Sequence, residues 1–171
     1  GASTKNAGFA CFGSISELED DLQECTEDEI VALTEKRYRG ISKLRKLLGD
    51  EAIQFEPVGG FELGFDRSAC DRIHYYNRLL KNVFPSAPFS EVTEDLKNYP
   101  FSNKVTHLIK HQFEGTIHTG KMMRSLIDRA LELGVRIYTG CEVKQLEFDT
   151  NLVRIGTITN HQTIEFRALQ I

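Results

Sequence analysis

The sequence lacks the features that would direct it to a membrane or to nucleic acid. No apolar run in the 171 residues approaches the roughly 20 residues that cross a bilayer, and the polar opening stretch GASTKN does not predict a signal peptide. Acidic residues (25) outnumber lysines and arginines (21), so the net charge is −4 and the pI is near 5.8. Without an excess of positive charge, we expect neither nucleic acid nor an anionic membrane surface as a partner.

Paired cysteines are also missing. The cysteines are scattered, without a C-x-x-C pair, at Cys11, Cys25, Cys70 and Cys141. This spacing does not indicate a zinc site, and a disulfide framework is not typical of a chain this long. We therefore expect a reduced, cytoplasmic protein. Cys11 lies beside an apparent ligand loop and is either a reactive thiol or, as is usual for cysteine, a small buried hydrophobic residue.

Signatures of metal-dependent and acyl-transfer catalysis are absent as well. His107 and His111 are four residues apart, which places them on one face of a helix or strand, and His118 follows nearby. The sequence offers neither the glutamate of H-E-x-x-H nor an obvious third ligand at fixed spacing, so we predict no metal site. No glycine-flanked nucleophile elbow occurs. We expect these histidines to be ordinary polar or substrate-facing residues.

What is present is the composition of an ordinary globular protein, with 40% hydrophobic and 27% charged residues. A chain of this length buries one good core, or two small ones that share a sheet. Ser16 is predicted to cap a short acidic helix that ends near Cys25. Thr26 and Glu29 form a capping box that opens a long helix ending near Gly49. Apolar residues at helical spacing predict its buried stripe: Ile30, Leu33, Ile41, Leu44 and Leu48.

Beyond Gly49, short strand patterns and helical patterns follow one another. Two short apolar runs around Gly59-Gly60 predict a hairpin, and the stretches EVKQLEF, LVRIGTI and TIEFRALQI predict an antiparallel three-stranded meander. Further helices are predicted at 66–84, 90–97 and 119–133, and further strands at 105–113 and 135–138. Together these elements predict an α+β fold with antiparallel sheets and helices.

The stretch GTIHTGKM at Gly115 to Met122 nearly matches the phosphate-binding P-loop pattern G-x-x-x-x-G-K-[ST]. Lys121 is present, but Met122 occupies the position of the hydroxyl that ligates magnesium. One hypothesis is therefore a P-loop-like nucleotide binder at Gly115–Lys121. The alternative is a helix start, with Thr119 as its N-cap and Met122 as the first core residue of an amphipathic helix, and we favour it.

The opening stretch GASTKNAGF has the composition of a ligand-binding loop. Its small residues allow a close approach of the backbone to a ligand, and Ser3, Thr4 and Asn6 add hydrogen-bond donors. Lys5 adds a positive charge suited to a diphosphate. A flexible terminus is the alternative interpretation, and these residues by themselves do not separate the two.

Three segments together resemble the FAD-dependent oxidoreductases of the D-amino acid oxidase, glycine oxidase and sarcosine oxidase superfamily. GASTKNAGFACFGS is similar to the loop after the second strand of the flavin-binding fold, and EGTIHTGKMMRSLIDRALELGVRIYTGCEVKQLE is similar to that family's helix–strand stretch. IEFRALQI resembles a strand that precedes the family's VVATNG segment. The resemblance implies an α+β fragment of a Rossmann-like flavoprotein.

The resemblance also implies roles for particular residues. It places Ser3, Thr4, Lys5 and Asn6 along the FAD diphosphate and ribityl chain, and Ala7 and Gly8 close to the flavin ring. Val143 matches a position whose backbone contacts adenine. His118 occupies the place of the family's histidine, but Thr119 replaces the proline that follows it.

The implied organisation has three parts. Residues 1–15 are the FAD-contacting loop, residues 16–118 the substrate-binding region, and residues 119–171 a helix, strand and meander of the cofactor domain. The family's G-x-G-x-x-G unit is missing, since VGGFELG has the wrong glycine spacing. We therefore expect the chain to be an internal piece of a longer flavoprotein that binds FAD weakly by itself and is inactive alone.

The implied reaction is oxidation of an amine or amino acid by hydride transfer to flavin, with a small-molecule substrate. A substrate carboxylate requires an arginine or lysine, and the sequence does not choose among Arg67, Lys110 and others. The catalytic residues, the electron acceptor and the oligomeric state stay open. A non-catalytic α+β binding module remains a further alternative to the enzyme.

Overall fold

The computed structural model describes residues 5–159 and 162–169, which form two compact units, Gly1–Asp128 and Arg129–Ile171. The helices are α1 (Ile15–Asp21), α2 (Glu27–Leu48), α3 (Asp50–Ile53), α4 (Ser68–Leu79), a 3₁₀ helix (Thr93–Asn98) and α5 (Thr119–Glu132). The strands are β1 (Phe9–Ala10), β2 (Gly60–Gly64), β3 (Phe89–Glu91), β4 (His107–His111), β5 (Gly115–Thr116), β6 (Glu142–Asp149), β7 (Leu152–Thr159) and β8 (Gln162–Leu169). The described strands all pair antiparallel, which confirms the predicted α+β class.

Helix α2 begins and ends where the sequence predicts. The Thr26 side chain accepts a hydrogen bond from the Glu29 backbone N–H, and the Glu29 carboxylate accepts one from the Thr26 N–H, so the capping box is complete. The helix ends at Gly49, whose φ of 84° suits glycine. Of the predicted stripe, Ile30 is fully buried, and the residues further along it are half-buried.

Loss of the α2 cap gives a first prediction. Replacing Thr26 with Ala is expected to lower the free energy of unfolding by about 1 kcal/mol, because the N–H groups of the first helical turn lose their acceptor. The matched control is Ser42→Ala in the same helix, since that exposed hydroxyl only donates to the Tyr38 carbonyl. Urea denaturation of both variants measures the difference, and equal midpoints would contradict the role of the cap.

The start of α1 differs from the prediction. Ser14, not Ser16, is the N-cap, because Ser14 and Glu17 form the reciprocal capping box. Both serines stand three residues before a glutamate, so the sequence pattern permits either one. Ser16 instead donates its backbone N–H to the Glu62 carboxylate, a contact between distant parts of the chain.

The predicted hairpin at Gly59-Gly60 is wrong. β2 pairs along its whole length with β4, from Gly60 opposite His111 to Gly64 opposite His107, and β3 pairs with the other side of β4. The run that precedes Gly59 pairs elsewhere, through an isolated bridge between Glu56 and Thr116. Two neighbouring strand-like runs therefore pair with separate partners rather than with each other.

The boundaries of other helices and strands also differ from the predicted ones. The helix predicted at 66–84 is confined to α4, and the helix predicted at 90–97 is replaced by β3 and the 3₁₀ helix. The stretch 135–138, predicted as a strand, has no strand structure. The strand predicted at 105–113 is confirmed as β4, and the helix predicted at 119–133 is confirmed as α5.

The larger core of the first unit lies between the helices and one face of the β2-β4-β3 sheet. Its buried residues include Phe12, Tyr76, Phe89 and Ile109. The ring centroids of Phe12 and Phe84 are 4.5 Å apart, and those of Phe12 and Phe89 are 5.8 Å apart, so aromatic contacts form its centre. The segment that follows β1 is thereby fixed to the sheet.

A smaller cluster lies under the short β1-β5 ladder, where Phe9 is opposite Thr116 and Ala10 is opposite Gly115. Its buried residues are Ala10, Ile53 and Phe55, and Met122 packs against them from α5. Met122 is thus an apolar contact at the start of α5, as the helix-start interpretation requires.

The second unit contains the predicted meander. β6 pairs with β7 and β7 with β8, and the register shifts between Val143 and Gln145, where β6 is irregular. None of the helices within the described ranges combines the length and apolar character needed to cross a membrane.

Candidate functional site

The predicted flavin loop lies at the start of the described chain. Ser3 and Thr4 fall outside the described residues. Lys5, Asn6 and Ala7 are exposed, whereas Gly8 is buried. The Asn6 side-chain oxygen accepts a 2.7 Å hydrogen bond from the Gly8 N–H, which closes a turn within the loop. The loop therefore presents an ammonium group and an amide to solvent on a fixed turn.

Gly8 anchors this loop to the rest of the unit. Its carbonyl accepts a 2.8 Å hydrogen bond from the Ile117 N–H, and its φ is 89°, a conformation that favours glycine. A Cβ added at Gly8 would lie 2.6 Å from the Ile117 carbonyl oxygen. The glycine is thus required both by the backbone conformation and by close approach of the β5–α5 connection.

Three buried ionisable side chains lie beneath the segment that follows the loop. His111 Nδ1 is 3.2 Å from Glu114 Oε2, and His111 Nε2 is 3.5 Å from Glu62 Oε2. The side chains of His111, Glu114 and Glu62 are only 4%, 7% and 10% exposed. We call these three residues the buried cluster.

The buried cluster holds the segment from Phe12 to Ser16 in place. The Phe12 N–H donates to the Glu114 carboxylate at 3.2 Å, a contact that spans 102 residues of sequence. Glu62 accepts 3.0 Å hydrogen bonds from the N–H groups of Ile15 and Ser16, and the Ser16 hydroxyl also donates to it. A buried carboxylate that accepts several hydrogen bonds and faces a cation is stabilised in its charged form, and it stabilises the cation in return.

The charge state of the cluster follows from these contacts. Burial opposes protonation of the imidazole, but Glu114 and Glu62 outweigh it and raise the pKa of His111 to about 9. Burial also opposes ionisation of Glu62, yet the imidazolium and the hydrogen bonds from Ser16 and Ile15 hold the pKa of Glu62 below its ordinary value. At neutral pH the cluster therefore contains a charged histidine.

The cluster was not predicted from the sequence. The sequence predicts an ordinary polar or substrate-facing histidine at His111, whereas the structure buries it between two carboxylates. The available signal was Glu62, a charged residue between two apolar ones in a strand-like run. Its partner Glu114 lies in the turn after β4, and no local pattern joins the two.

Glycines allow the backbone to approach the cluster closely. A Cβ at Gly60 would lie on the Glu114 carboxylate, and one at Gly59, whose φ is 78°, would lie 2.6 Å from the His111 carbonyl oxygen. The Gly59 N–H donates to the Glu114 carbonyl. The Gly59-Gly60 pair thus packs β2 against the β4–β5 turn instead of forming a hairpin.

Two further histidines, His107 and His118, have other partners. His107 Nε2 is 3.3 Å from Arg67 Nη1, and His118 Nδ1 accepts the Lys121 N–H at 3.2 Å. His118 therefore caps α5, and the prediction that Thr119 caps it is wrong, since α5 already includes Thr119. Within the described ranges, no group of three or more histidine, cysteine, aspartate or glutamate side chains could hold a metal ion.

The P-loop-like stretch is not arranged to bind phosphate. A P-loop directs its backbone N–H groups at the phosphates. Here the N–H groups of Thr116, Ile117 and His118 donate to the carbonyls of Glu56, Gly8 and Ile53, respectively. The N–H of Lys121 is bound to His118, so the main donors of the stretch are used within the protein.

Cys11 is exposed, but its sulfur is partly desolvated. Burial and the nearby Glu114 carboxylate raise the pKa of the Cys11 thiol. Because the thiolate is the reactive form, this environment disfavours the interpretation of Cys11 as a reactive thiol.

Val143, the other predicted cofactor contact, lies on β6 in the second unit. It is 53% exposed and is opposite Thr157 in the β6-β7 ladder. It borders an open groove of about 470 Å³ that is also lined by Tyr138, Phe166 and Arg136. The groove leaves the Val143 position accessible to a ligand.

Comparison with known proteins identifies the family of the chain. A family model described as "FAD dependent oxidoreductase" matches residues 1–169. No curated protein matches the chain significantly.

Solved structures give the fold. Glycine oxidase from Geobacillus kaustophilus is 15% identical and matches with a TM-score of 0.61 over 92% of this chain and 41% of that chain. L-Amino acid deaminase from Proteus myxofaciens, in complex with anthranilate, is 18% identical, with a TM-score of 0.61 over 91% of this chain and 34% of that chain. Iminodiacetate oxidase from Chelativorans sp. BNC1 is 15% identical, with a TM-score of 0.59 over 95% of this chain and 43% of that chain. The chain thus spans less than half the length of each.

Proposed function

The chain belongs to the family of FAD-dependent oxidoreductases, and from this premise we propose that it is part of an enzyme that oxidises an amine or amino acid by hydride transfer to FAD. The glycine oxidase, amino acid deaminase and iminodiacetate oxidase among its structural neighbours support an amino-acid-like substrate. In this proposal, residues 1–15 contact the cofactor, residues 16–118 bind the substrate, and residues 119–171 belong to the cofactor domain.

The observation that carries the proposal is the loop from Lys5 to Gly8. FAD contains a diphosphate, which is bound by cationic side chains and N–H donors. The Lys5 ammonium has no acidic partner within 4.0 Å among the described side chains, and Asn6 is exposed, with its side-chain oxygen bound to the Gly8 N–H. This donor set fits a diphosphate, with Ser3 and Thr4 as its proposed continuation, and Ala7 and Gly8 beside the flavin ring. In the second unit, Val143 would contact adenine.

When bound, FAD supplies the redox chemistry by accepting a hydride from the carbon that bears the amine, which leaves an imine that water hydrolyses. The role of the residues of this chain is to bind and orient the cofactor. Lys5 and Asn6 hold the cofactor, the Gly8 turn fixes their direction, and the buried cluster fixes the segment that follows. No strong base is required of this chain, because the substrate ammonium loses its proton to solvent and becomes the neutral amine before the hydride leaves.

The proposal is tested with two proteins. The polypeptide of this sequence is expected to be colourless after purification, because a G-x-G-x-x-G unit, the part that holds the FAD pyrophosphate, does not occur in it. The product of the complete reading frame is expected to be yellow and to lose its visible flavin absorption when an amino acid is added without oxygen. A complete reading frame without a G-x-G-x-x-G unit and without bound flavin would favour a non-catalytic binding module.

A matched pair of variants tests the loop. In the flavin-containing protein, Lys5→Met is expected to raise the FAD dissociation constant about tenfold, since a charged hydrogen bond contributes about 1.5–3 kcal/mol. Lys36→Met, on the exposed face of α2, is expected to leave it unchanged. Fluorescence titration of the apoprotein with FAD measures both, and equal constants would remove Lys5 from the cofactor site.

A further inference from the structure

Strand β2 buries its charged residue and exposes its apolar residues, which is the reverse of the usual pattern. Phe61 and Leu63 are 41% and 37% exposed, whereas Glu62 between them lies in the buried cluster. Alternation along a strand ordinarily turns the apolar residues to the core and the charged one to solvent. The sheet therefore presents the partly exposed Phe61 and Leu63 on the face opposite the helices, and this open face is covered at Leu108, which is opposite Leu63 and fully buried.

Further aromatic residues extend this open face. Tyr99, after the 3₁₀ helix, contacts Phe61 edge-to-face with ring centroids 5.5 Å apart, and Phe101 stacks on Tyr99 at 5.4 Å. Both are 39% exposed. We call Phe61, Leu63, Tyr99 and Phe101 the aromatic face. Their mutual contacts give it a fixed shape rather than a set of isolated exposed residues.

A row of three side chains crosses the sheet at this face. Phe61 on β2 is opposite Lys110 on β4, and Lys110 is opposite Ser90 on β3. Directly opposed residues on antiparallel strands point to the same face, with Cβ atoms about 4.5–5.5 Å apart. An aromatic ring, a cation and a hydroxyl thus stand side by side in that order.

Lys110 and Ser90 have no competing partners in the part of the chain that the structure describes. Within the described ranges, Lys110 has no carboxylate within 4.0 Å, and neither its ammonium nor the Ser90 hydroxyl makes a side-chain hydrogen bond. The Lys110 stem lies against Gly59, since a Cβ there would be 3.6 Å from Lys110 Cε. The ammonium is therefore held at the sheet without being neutralised.

Arg67, the other cation that the sequence allows for a substrate carboxylate, is in the opposite situation. Its guanidinium is 3.4 Å from both the Asp71 and the Glu91 carboxylates. Two acidic partners already compensate its charge, so an additional anion gains little from it. A substrate carboxylate therefore gains more from the ammonium of Lys110 than from the guanidinium of Arg67.

We propose that the aromatic face is the specificity site for a carboxylate substrate with an apolar, planar side chain, whose carboxylate binds Lys110 and Ser90 while its side chain lies on Phe61 and Tyr99. The proposal rests on the oxidoreductase function and names its substrate class. A ring on the aromatic face and a carboxylate on the adjacent cation fit one molecule, because the row places the two subsites a few ångströms apart.

The test uses the whole chain without cofactor, so that it is independent of flavin binding. Uniformly ¹⁵N-labelled protein is titrated with 3-phenylpropionate, and amide shifts are followed in β2, β3 and β4. Saturable shifts are expected at Phe61, Ser90 and Lys110. The alcohol 3-phenylpropanol, which lacks the charge, and propionate, which lacks the ring, are each expected to bind at least about tenfold more weakly.

Matched variants assign the residues. Lys110→Met is expected to weaken binding of 3-phenylpropionate about tenfold, and Phe61→Ala to remove the preference for 3-phenylpropionate over propionate. Lys104→Met, on an exposed loop of the same unit, and Arg67→Met are expected to leave binding unchanged. Loss of binding in Arg67→Met but not in Lys110→Met, or equal binding of the acid and the alcohol, would overturn the proposal. A colourless full-length protein that still binds 3-phenylpropionate at Lys110 would refute the oxidoreductase function and leave this site intact.

Discussion

Replacing His111 with Leu is expected to lower the free energy of unfolding at pH 7 by about 3–5 kcal/mol, which is among the largest effects available to a single substitution in this chain. The substitution leaves Glu62 and Glu114 buried near each other with no cation between them. Both carboxylates also hold the backbone from Phe12 to Ser16, so repulsion between them loosens the segment that follows the flavin loop. Urea denaturation at neutral pH measures the loss.

The pH dependence separates the charge of His111 from its volume. A pKa raised from 6.5 to about 9 corresponds to about 3 kcal/mol of stability for the protonated form. Because the pKa in the folded state lies above that of the unfolded state, this contribution is fully present below about pH 6.5 and is lost as the pH rises through about 9. We expect wild-type stability to decline over this interval, and the decline to be absent in His111→Leu.

The control for both measurements is His74→Leu on the exposed face of α4, which is expected to change stability by no more than about 0.5 kcal/mol. It should also leave the alkaline decline in place. A flat wild-type profile between pH 6.5 and 9 would show that the imidazole in the cluster is not charged.

Structural features that depend on residues within one helical turn were predictable from the sequence. Thr26 and Glu29 are three residues apart, and the side chain of each accepts a hydrogen bond from the backbone N–H of the other. The local sequence alone therefore determines where α2 begins. The same local rule failed at Ser14 and Ser16, because both satisfy it. A contact with Glu62, far along the chain, distinguishes the two serines.

Strand pairing was not predictable in the same way. The Gly59-Gly60 pair has the composition of a turn, yet a Cβ at Gly59 would collide with the end of β4 and a Cβ at Gly60 with the turn that follows β4. These glycines are required by close packing of distant segments rather than by a change of chain direction. Composition does not separate these two uses of glycine.

The candidate site was predicted in part. The resemblance indicated Lys5 to Gly8, and the structure gives these residues a closed turn with exposed donors, while their contact with FAD remains a proposal. The buried cluster escaped prediction because its members come from β2, β4 and the turn after β4. Glu62 breaks the alternation rule that otherwise predicts which strand face is buried. Such an exception requires a partner in the core, and the partner is His111.

The second prediction with a large effect concerns Gly8. Replacing it with Ala is expected to lower the free energy of unfolding by about 2–4 kcal/mol, from two separate causes. An alanine resists the φ of 89°, and its Cβ would lie 2.6 Å from the Ile117 carbonyl oxygen, so the 2.8 Å hydrogen bond between Ile117 and Gly8 must break or lengthen. In the flavin-containing protein, the shifted turn is expected to weaken FAD binding as well.

Two further glycines of the same unit separate these causes. Gly49 has a φ of 84°, but no atom of the described residues lies within 4 Å of an added Cβ, so Gly49→Ala reports backbone strain alone. Gly40 lies inside α2 with neither constraint, and Gly40→Ala is expected to stabilise the protein by about 0.5–1 kcal/mol. The expected order of stability is Gly40→Ala above wild type, then Gly49→Ala, then Gly8→Ala. If Gly8→Ala were no less stable than Gly49→Ala, the close contact with Ile117 would not constrain the loop, and Lys5 and Asn6 would lose the fixed turn on which their proposed role depends.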